Sequence, residues 1–349
     1  MAEKIKKITG MRLFMPIVCL FIVLLVNVIR TPDFFNITLK DGQLSGWLID
    51  VINRGSELVI LAIGMTLVTA ASGGQDISVG AVMAVAAAVC CQILSGGEVS
   101  TNTAPIIIAA IAGILVAALC GAFNGFLVAK LNIQPMVATL ILFTAGRGIA
   151  QLVTQGQITY VRVESYKAMG GFLGPIPTPV IFAVAAVVVA YLVLNKTALG
   201  MYIESVGINS HASRLIGLNS TRIKFLTYVI CGALAGLAGI VASSRIYSAD
   251  ANNIGLNLEM DAILAVALGG NILSGGKFSL MGSVIGAYTI QALTTTLYAM
   301  SVPSDQLPVY KAIVVIIIVV LQSPVYKKAM QNYKAKRQSK KAVVQGGEQ

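Results

Sequence analysis

The chain is built from long apolar runs separated by short polar breaks. The runs cover 13–30, 57–72, 78–95, 105–129, 135–154, 178–195, 224–243, 260–273, 279–299 and 308–323. A helix needs about 20 residues to cross the ~30 Å hydrocarbon core of a bilayer. The pattern therefore predicts an all-α polytopic membrane protein of about ten transmembrane helices, with 57–72 and 260–273 as the short ones. The longest polar stretches, 31–56, 155–177, 196–223 and 324–349, leave no room for a soluble domain between helices. The organisation expected is a basic segment 1–12, one membrane domain over 13–323, and a basic polar tail over 324–349 that anchors to the inner leaflet. The segment 155–177, rich in Gly and Pro, should be irregular and external. The first run is expected to stay as a helix and not to act as a signal peptide. Leu13–Ile29 exceeds a usual signal h-region, and no small-x-small site follows it.

Composition sharpens this picture. Of 349 residues, 56% are hydrophobic and 11% charged, whereas about 25% are charged in an ordinary soluble domain. A net charge of +11 would suit nucleic acid, but its distribution points to membrane topology. Lys and Arg gather in 1–12, at Lys130, across 196–224, at Lys277 and in the tail. Under the positive-inside rule these segments, and both termini, lie in the cytoplasm. Lipid is the surface partner expected, and nucleic acid is not. Cys19, Cys90, Cys91, Cys120 and Cys231 all fall in apolar runs, where a thiol behaves as a small hydrophobe.

Glycines recur within the runs, and the pairs Gly121/Gly125, Gly232/Gly236 and Gly282/Gly286 are four apart. Each pair shares one helix face and lets a neighbouring backbone approach closely. The string Ser72-Gly73-Gly74 with Gly80 is echoed by Ser274-Gly275-Gly276 with Gly282. Both copies fall on the cytoplasmic side, so the echo does not indicate an inverted repeat.

Enzyme chemistry has little to stand on. Gly275-Gly276-Lys277-Phe278 lacks the hydroxyl that a phosphate-cradling loop carries after its lysine, and Asn271 occupies the position of the leading glycine. The one histidine, His211, lies in a basic loop, and no metal-ligand spacing or nucleophile–base pair is evident. No cofactor is implied. Transport is the remaining class, and two kinds of segment bear on it.

The first is the loop about 196–223. Asn209 or Ser210 can cap a short helix over Ala212–Ile216, and Gly217 can close it in a left-handed conformation. Such a helix could dock in a groove of a cytoplasmic partner, or the loop could merely obey the charge rule. The second comprises polar residues in or beside the membrane: Gln75, Asp76, Asn124, Arg147, Gln151, Asp250, Asn252, Asn253 and Asp261. Such groups are costly in lipid and tend to mark a pathway. Asp76 could equally cap the next helix. Arg147 needs carboxylate or carbonyl partners, shares a face with Gln151, and could be brace or pathway. The amides and carboxylates of 250–261 suit sugar hydroxyls as well as turns.

Several strings also resemble a known family. They are Leu61-Ala-Ile-Gly-Met-Thr with Gly73-Gly-Gln-Asp-Ile-Ser-Val-Gly80, Gln134-Pro-Met-Val-Ala-Thr-Leu with Gly146-Arg-Gly148, Ala198-Leu-Gly with Gly207-Ile-Asn209, and Leu264-Ala-Val with Gly269-Gly and Ser274-Gly-Gly276. Together they resemble the ribose/xylose/galactoside branch of bacterial ABC permeases over nearly all of 55–323. The strings around Ala145-Gly-Arg-Gly and Ala249-Asp-Ala-Asn-Asn253 are most similar to its galactofuranose-type members. The resemblance implies a type II-like importer permease fold in the cytoplasmic membrane. It further implies a second permease subunit, a cytoplasmic ABC ATPase and an extracytoplasmic sugar-binding protein. It places coupling to the ATPase in 204–217, with Glu204, Gly207, Asn209, His211, Ala212, Arg214 and Gly217 as the residues concerned. Gln75 and Ile77 depart from the family's Gly-Gly-Ile-Asp-Leu-Ser-Val-Gly string, and Gln75 sets a polar side chain beside Asp76. The expected function is monosaccharide import by alternating access, without chemistry in this subunit. An ion-coupled secondary transporter, with Asp76 and Asp261 as carriers, is the rival; an intramembrane enzyme lacks its constellation.

Overall fold

A computed structural model describes residues 13–40, 42–95 and 104–322. The basic segment 1–12 and the tail after Pro324 lie outside the described residues. The described chain holds thirteen helices and three pairs of very short strands, and it divides into a unit ending at Met300 and a unit from Ser301.

The first unit begins with α1 (Phe14–Arg30), a 3₁₀ turn (Pro32–Phe35) and the hairpin β1 (Thr38–Lys40)–β2 (Gln43–Ser45), in which Leu39 faces Leu44. Then follow α2 (Trp47–Ser72), α3 (Val79–Leu94), α4 (Ala104–Ala129) and α5 (Pro135–Val153). The connection after α5 contains β3 (Thr159–Tyr160), α6 (Glu164–Gly170), β4 (Phe172–Leu173) and β5 (Ile176–Pro177). It leads to α7 (Thr178–Lys196), α8 (Leu199–Ile208), α9 (Ser210–Leu215) and α10 (Ser220–Ile246). Next come β6 (Ser248–Ala249), antiparallel to β3, then α11 (Leu258–Leu268) and α12 (Leu280–Ala299). In the second unit, α13 (Leu307–Gln322) is a single apolar helix.

Among the described residues, five helices are long and apolar enough to cross a membrane: α2, α4 from Pro105, α5, α7 and α10; α1, α3 and α8 are shorter apolar helices. The protein is thus a mostly helical, polytopic membrane protein. The centre is α2, buried from Gly55 to Ala71 and packed on α7, α10, α11 and α12. By contrast α7 presents Val184, Val188, Val189 and Leu192 outward, as a helix facing lipid does.

Small residues set the closest helix pairs, as the Gly spacing predicts. A Cβ at Gly121 would strike the carbonyl of Tyr228, and one at Gly232 the carbonyl of Ala117, so α4 and α10 touch backbone to backbone. Gly282 and Gly286 do the same for α12 against Gly269 and Ala265. Interhelical hydrogen bonds add to this packing: Asn27 Nδ2 donates to Thr296 Oγ1 at 2.7 Å, and the hydroxyls of Thr66 and Ser283 lie 2.6 Å apart.

Three boundaries differ from the apolar runs, each for a physical reason. Helix α2 begins ten residues before 57 because the polar side chains that interrupt the run find partners. Arg245 Nη1 pairs with Glu57 Oε1 at 3.0 Å, and Arg245 Nη2 donates to the Asn53 carbonyl at 3.1 Å. The run 260–273 yields only the eleven residues of α11, since Gly270 turns away with φ +76°. The loop 196–223 contains two helices where one was expected, and they meet at Asn209.

Candidate translocation site

At one end of the helices, α8 and α9 form a projection. Asn209 caps α9: its Oδ1 accepts from the backbone N–H groups of His211 and Ala212, both at 3.0 Å. Gly217, with φ +88°, turns the chain after α9, as the residue pattern predicts. Arg214 Nε donates to Ser220 Oγ at 2.6 Å and ties the projection to the start of α10. His211, Ala212, Arg214 and Gly217 are exposed, and Glu204 is half-buried. The tip is apolar: Leu215 is 90% exposed and Ile216 75%. Sequence reasoning passed over both, although two adjacent aliphatics in a basic loop were a visible signal.

The projection rests on a knot of backbone. A Cβ on Gly207 would collide with the Ala70 carbonyl and with Gly276 N, while Gly276 N donates to that same carbonyl at 2.9 Å. Gly73 and Gly275 are stacked so closely that a Cβ on either would press on the backbone of the other segment. The two echoed strings, Ser72-Gly73-Gly74 and Ser274-Gly275-Gly276, are therefore partners in one contact. Gln75 Nε2 donates to the Leu273 carbonyl at 3.4 Å, so the unusual glutamine also serves this joint.

From the knot the chain climbs without helix. Gly74 packs on Pro135, Ile77 N donates to Thr139 Oγ1 at 3.2 Å, and Ala81 packs on Gly146. Between Pro135 and Gly146 an α-helix rises ~16 Å, so α3 starts well along α5, not level with its beginning. Asp76 lies inside this unwound stretch, buried. Its Oδ1 accepts from Ser78 N at 2.9 Å and Ser78 Oγ at 2.6 Å, and Asn124 Nδ2 donates to Ser78 Oγ at 2.8 Å. Asp76 thus holds the turn just before α3 and does not accept from the first N–H groups of that helix, as a cap would; Asn124 joins the same cluster.

A second irregular stretch meets the first. After β6, residues 250–257 are a series of turns, and Gly255 sits so close to Gly80 that neither could carry a Cβ. Helix α11, eleven residues or ~16 Å long, therefore starts beside the start of α3, and two helix N-termini converge there. Arg147 of α5 holds the turns: its Nη1 donates to the carbonyls of Ala251 at 3.0 Å, Asn252 at 3.4 Å and Ile254 at 2.5 Å. Gln151, one turn on, donates to Asn252 Oδ1 at 2.6 Å. Carbonyls, not a carboxylate, are the partners of Arg147.

Asp250 organises the turns from their other side, accepting from Asn252 N at 2.9 Å, Asn253 N at 3.2 Å and Asn253 Nδ2 at 2.6 Å. Partial burial pushes its carboxyl upward, but those hydrogen bonds and the Arg147 charge prevail and hold it below the usual carboxylate range. The structure thus gathers Arg147, Gln151, Asp250, Asn252 and Asn253 into one junction, with Asp261 in the first turn of the adjoining α11. Gln75, Asp76 and Asn124 belong to the lower stretch. Glu259 was missed as a site residue; it is 2% exposed and lies against Gly80. Its signal was a carboxylate opening an apolar run too short to span a bilayer. Glu57 and Arg245, another missed pair, form a brace among α2 and α10.

Along the open face of α5 runs a groove of about 720 Å³, lined by Ala145, Gly148, Ile149, Gln151, Leu152 and Gln155. Among the described residues no group of three or more His, Cys, Asp and Glu is placed to hold a metal ion.

Residues 47–322 match the family model described as "Branched-chain amino acid transport system / permease component". The chain is 47% identical over 308 residues, 88% of each chain, to the galactofuranose transporter permease protein YtfT of Escherichia coli. It is 39% identical over 340 residues, 95% of this chain and 94% of the relative, to the fructose import permease protein FruF of Bifidobacterium longum. The ribose import permease protein RbsC of Escherichia coli is 33% identical over 312 residues, 88% of this chain and 92% of the relative. No solved structure matches.

Proposed function

This chain belongs to the branched-chain amino acid transport system / permease component family, and on that premise we propose that it is the membrane-spanning permease subunit of an ATP-driven monosaccharide importer. It is a multi-pass protein of the cytoplasmic membrane, and its relatives are sugar-import permeases. The observation that carries the proposal is the 47% identity to a galactofuranose permease across 88% of both chains, which makes a pentose or hexose, galactofuranose first, the substrate to try. Ten helices cross the membrane, and both termini are cytoplasmic.

In this reading a second permease subunit completes the pore, an extracytoplasmic binding protein delivers the sugar, and a cytoplasmic ABC ATPase engages Glu204–Gly217. Gln75, Asp76, Asn124, Arg147, Gln151, Asp250, Asn252, Asn253 and Asp261 line or shape the pathway. ATP-driven movement of the projection reaches the two unwound stretches through the glycine knot, and the helices rock to release sugar inside. The apolar tip at Leu215 and Ile216 is suited to a groove on the ATPase.

The deciding experiment is uptake of labelled galactofuranose, ribose, fructose and leucine into proteoliposomes holding this chain, its ATPase and its binding protein. Sugar uptake that requires ATP and both partners is expected. Uptake of leucine in place of sugar, or uptake by this chain alone under a proton or sodium gradient, overturns the proposal. Ala212→Glu, at an exposed position, should cut ATP-dependent uptake at least tenfold with the membrane domain still folded; undiminished uptake and assembly would remove 204–217 from the coupling role.

A further inference from the structure

The apolar helices α1, α4, α5 and α7 each turn one side away from the rest of the described chain, and three of those sides are alike. Helix α1 shows Phe21 and Leu25, α4 shows Ile111 and Leu115, and α7 shows Val188 and Leu192, side chains that lipid accepts readily. Helix α5 differs. Between Leu140 and Leu152 its exposed residues include Thr144, Ala145, Gly148 and Gln151, and the groove of about 720 Å³ runs along the last three of these to Gln155.

Gly148 is the informative residue. A Cβ on Gly121, Gly232, Gly282 or Gly286 would strike a neighbouring backbone, so each of those glycines is used by a contact inside this chain. A Cβ on Gly148 would meet nothing within 4 Å, and glycine is a poor helix former. Nothing within the described chain makes use of the missing side chain. Thr144 lies one turn before it, and small residues four apart on one face let a second helix approach closely.

The polar groups of this face suit a copy of the same face. From Leu131 to Tyr160 the one charged residue is Arg147, and its Nη1 is turned to the carbonyls of Ala251, Asn252 and Ile254. No charge therefore opposes a like charge across a two-fold axis. The hydroxyl of Thr144 and the amides of Gln151 and Gln155 both donate and accept, so each can pair with its own symmetry mate. Gln151 gives Nε2 to Asn252 and keeps a carbonyl oxygen for such a bond. Self-complementarity of this kind is what a two-fold interface demands.

We propose that the open face of α5 is the seam with the second permease subunit, that this subunit is another copy of the same chain, and that the two α5 helices cross at Gly148. The inference rests on the importer reading, in which two permease subunits form the pore, and it adds the identity of the second subunit and the face that meets it. Because Arg147 and Gln151 belong to the same helix, the seam runs beside the 250–257 turns of both copies.

The test is disulfide trapping in membranes that hold the complete importer. A disulfide needs Cα atoms within about 7 Å, which Gly148→Cys attains only if the two helices cross there. The native thiols are a quiet background, since Cys19, Cys90, Cys91 and Cys231 are buried and Cys120 is half-buried. Oxidation should convert most of the Gly148→Cys permease to a linked pair and leave the wild type and Val188→Cys, on the outward side of α7, unlinked. Gly148→Leu adds a side chain for which the single chain has room, so it should reach the membrane in wild-type amount. Its two-copy assembly should nevertheless fall about tenfold or more, as overpacking of a close contact does. Equal linking of Val188→Cys, or undiminished assembly of Gly148→Leu, overturns the seam. So does the absence of a link at Gly148 in an importer whose mass shows two copies, a result that leaves the importer reading intact. One copy beside a different permease chain overturns the homodimer, and active import by a single permease subunit would refute the two-subunit reading as well.

Discussion

Two glycine-lined contacts lie along the same unwound chain, and they are built on opposite terms. At the knot, Gly73, Gly207, Gly275 and Gly276 press backbone on backbone, and the polar groups are matched: Gly276 N to the Ala70 carbonyl, Gln75 to the Leu273 carbonyl. At the junction, Gly80 and Gly255 make a contact of the same closeness, but Arg147 Nη2 and Glu259 Oε2 are left without partners. A tight, satisfied contact transmits force, because it has no slack to absorb it. Closeness of backbone is common to both, and the pairing of polar atoms separates them.

Substitutions at the two contacts should therefore fail differently. The largest effect is expected at the knot. Gly207→Val drives a branched side chain into the Ala70 carbonyl, which is backbone and cannot yield; overpacking of this kind costs about 1–3 kcal/mol or more. Thermal unfolding of the purified protein should fall by several degrees and uptake should vanish. If stability is lost but ATP-driven uptake per folded molecule persists, the knot is packing and not a joint.

Gln151→Ala should do less to stability and more to affinity. It removes only the hydrogen bond to Asn252 Oδ1 at the edge of the junction and brings no atom against backbone. A rise in KM of about tenfold with a small shift in melting temperature is expected. A variant that melts as early as Gly207→Val would erase the distinction between the contacts.

The smallest effect concerns pH. Asp250 has a folded pKa held below its ordinary value, so its hydrogen bonds stabilise the 250–253 turn above the unfolded pKa of about 3.9. That contribution is lost only as pH falls through the lower folded value. Hydrogen exchange at the amides of Asn252 and Asn253 should be flat from pH 8 to about 5 once intrinsic rates are removed, and protection should fade below about 4. Protection that already weakens near pH 6 would show that another group holds the turn.

Much of the fold was legible because a bilayer imposes one strong rule: apolar runs long enough to cross become helices. The runs at 135–154 and 178–195 correspond to α5 and α7 almost residue for residue. The cap at Asn209 and the turn at Gly217 were equally local, since a short polar side chain and a residue without Cβ encode them within a few positions. The candidate polar residues were legible as a class, because amides and charges among aliphatics stand out. Their grouping was not: Arg147 and Ile254 are over a hundred positions apart, and nothing local says that they meet.

What the sequence by itself determined, then, is the helical membrane class, the family strings and those helix limits that a local cap or turn encodes, such as Asn209 and Gly217. Tertiary structure alone decided that α2 extends back to Trp47, because Arg245 from a distant helix pairs with Glu57. It alone placed the two Ser-Gly-Gly strings in contact and set the start of α11 against the start of α3. The physical reason is range: hydrophobic runs, caps and turns are decided by neighbours in the chain, whereas the fate of a buried charge depends on which remote atom arrives beside it.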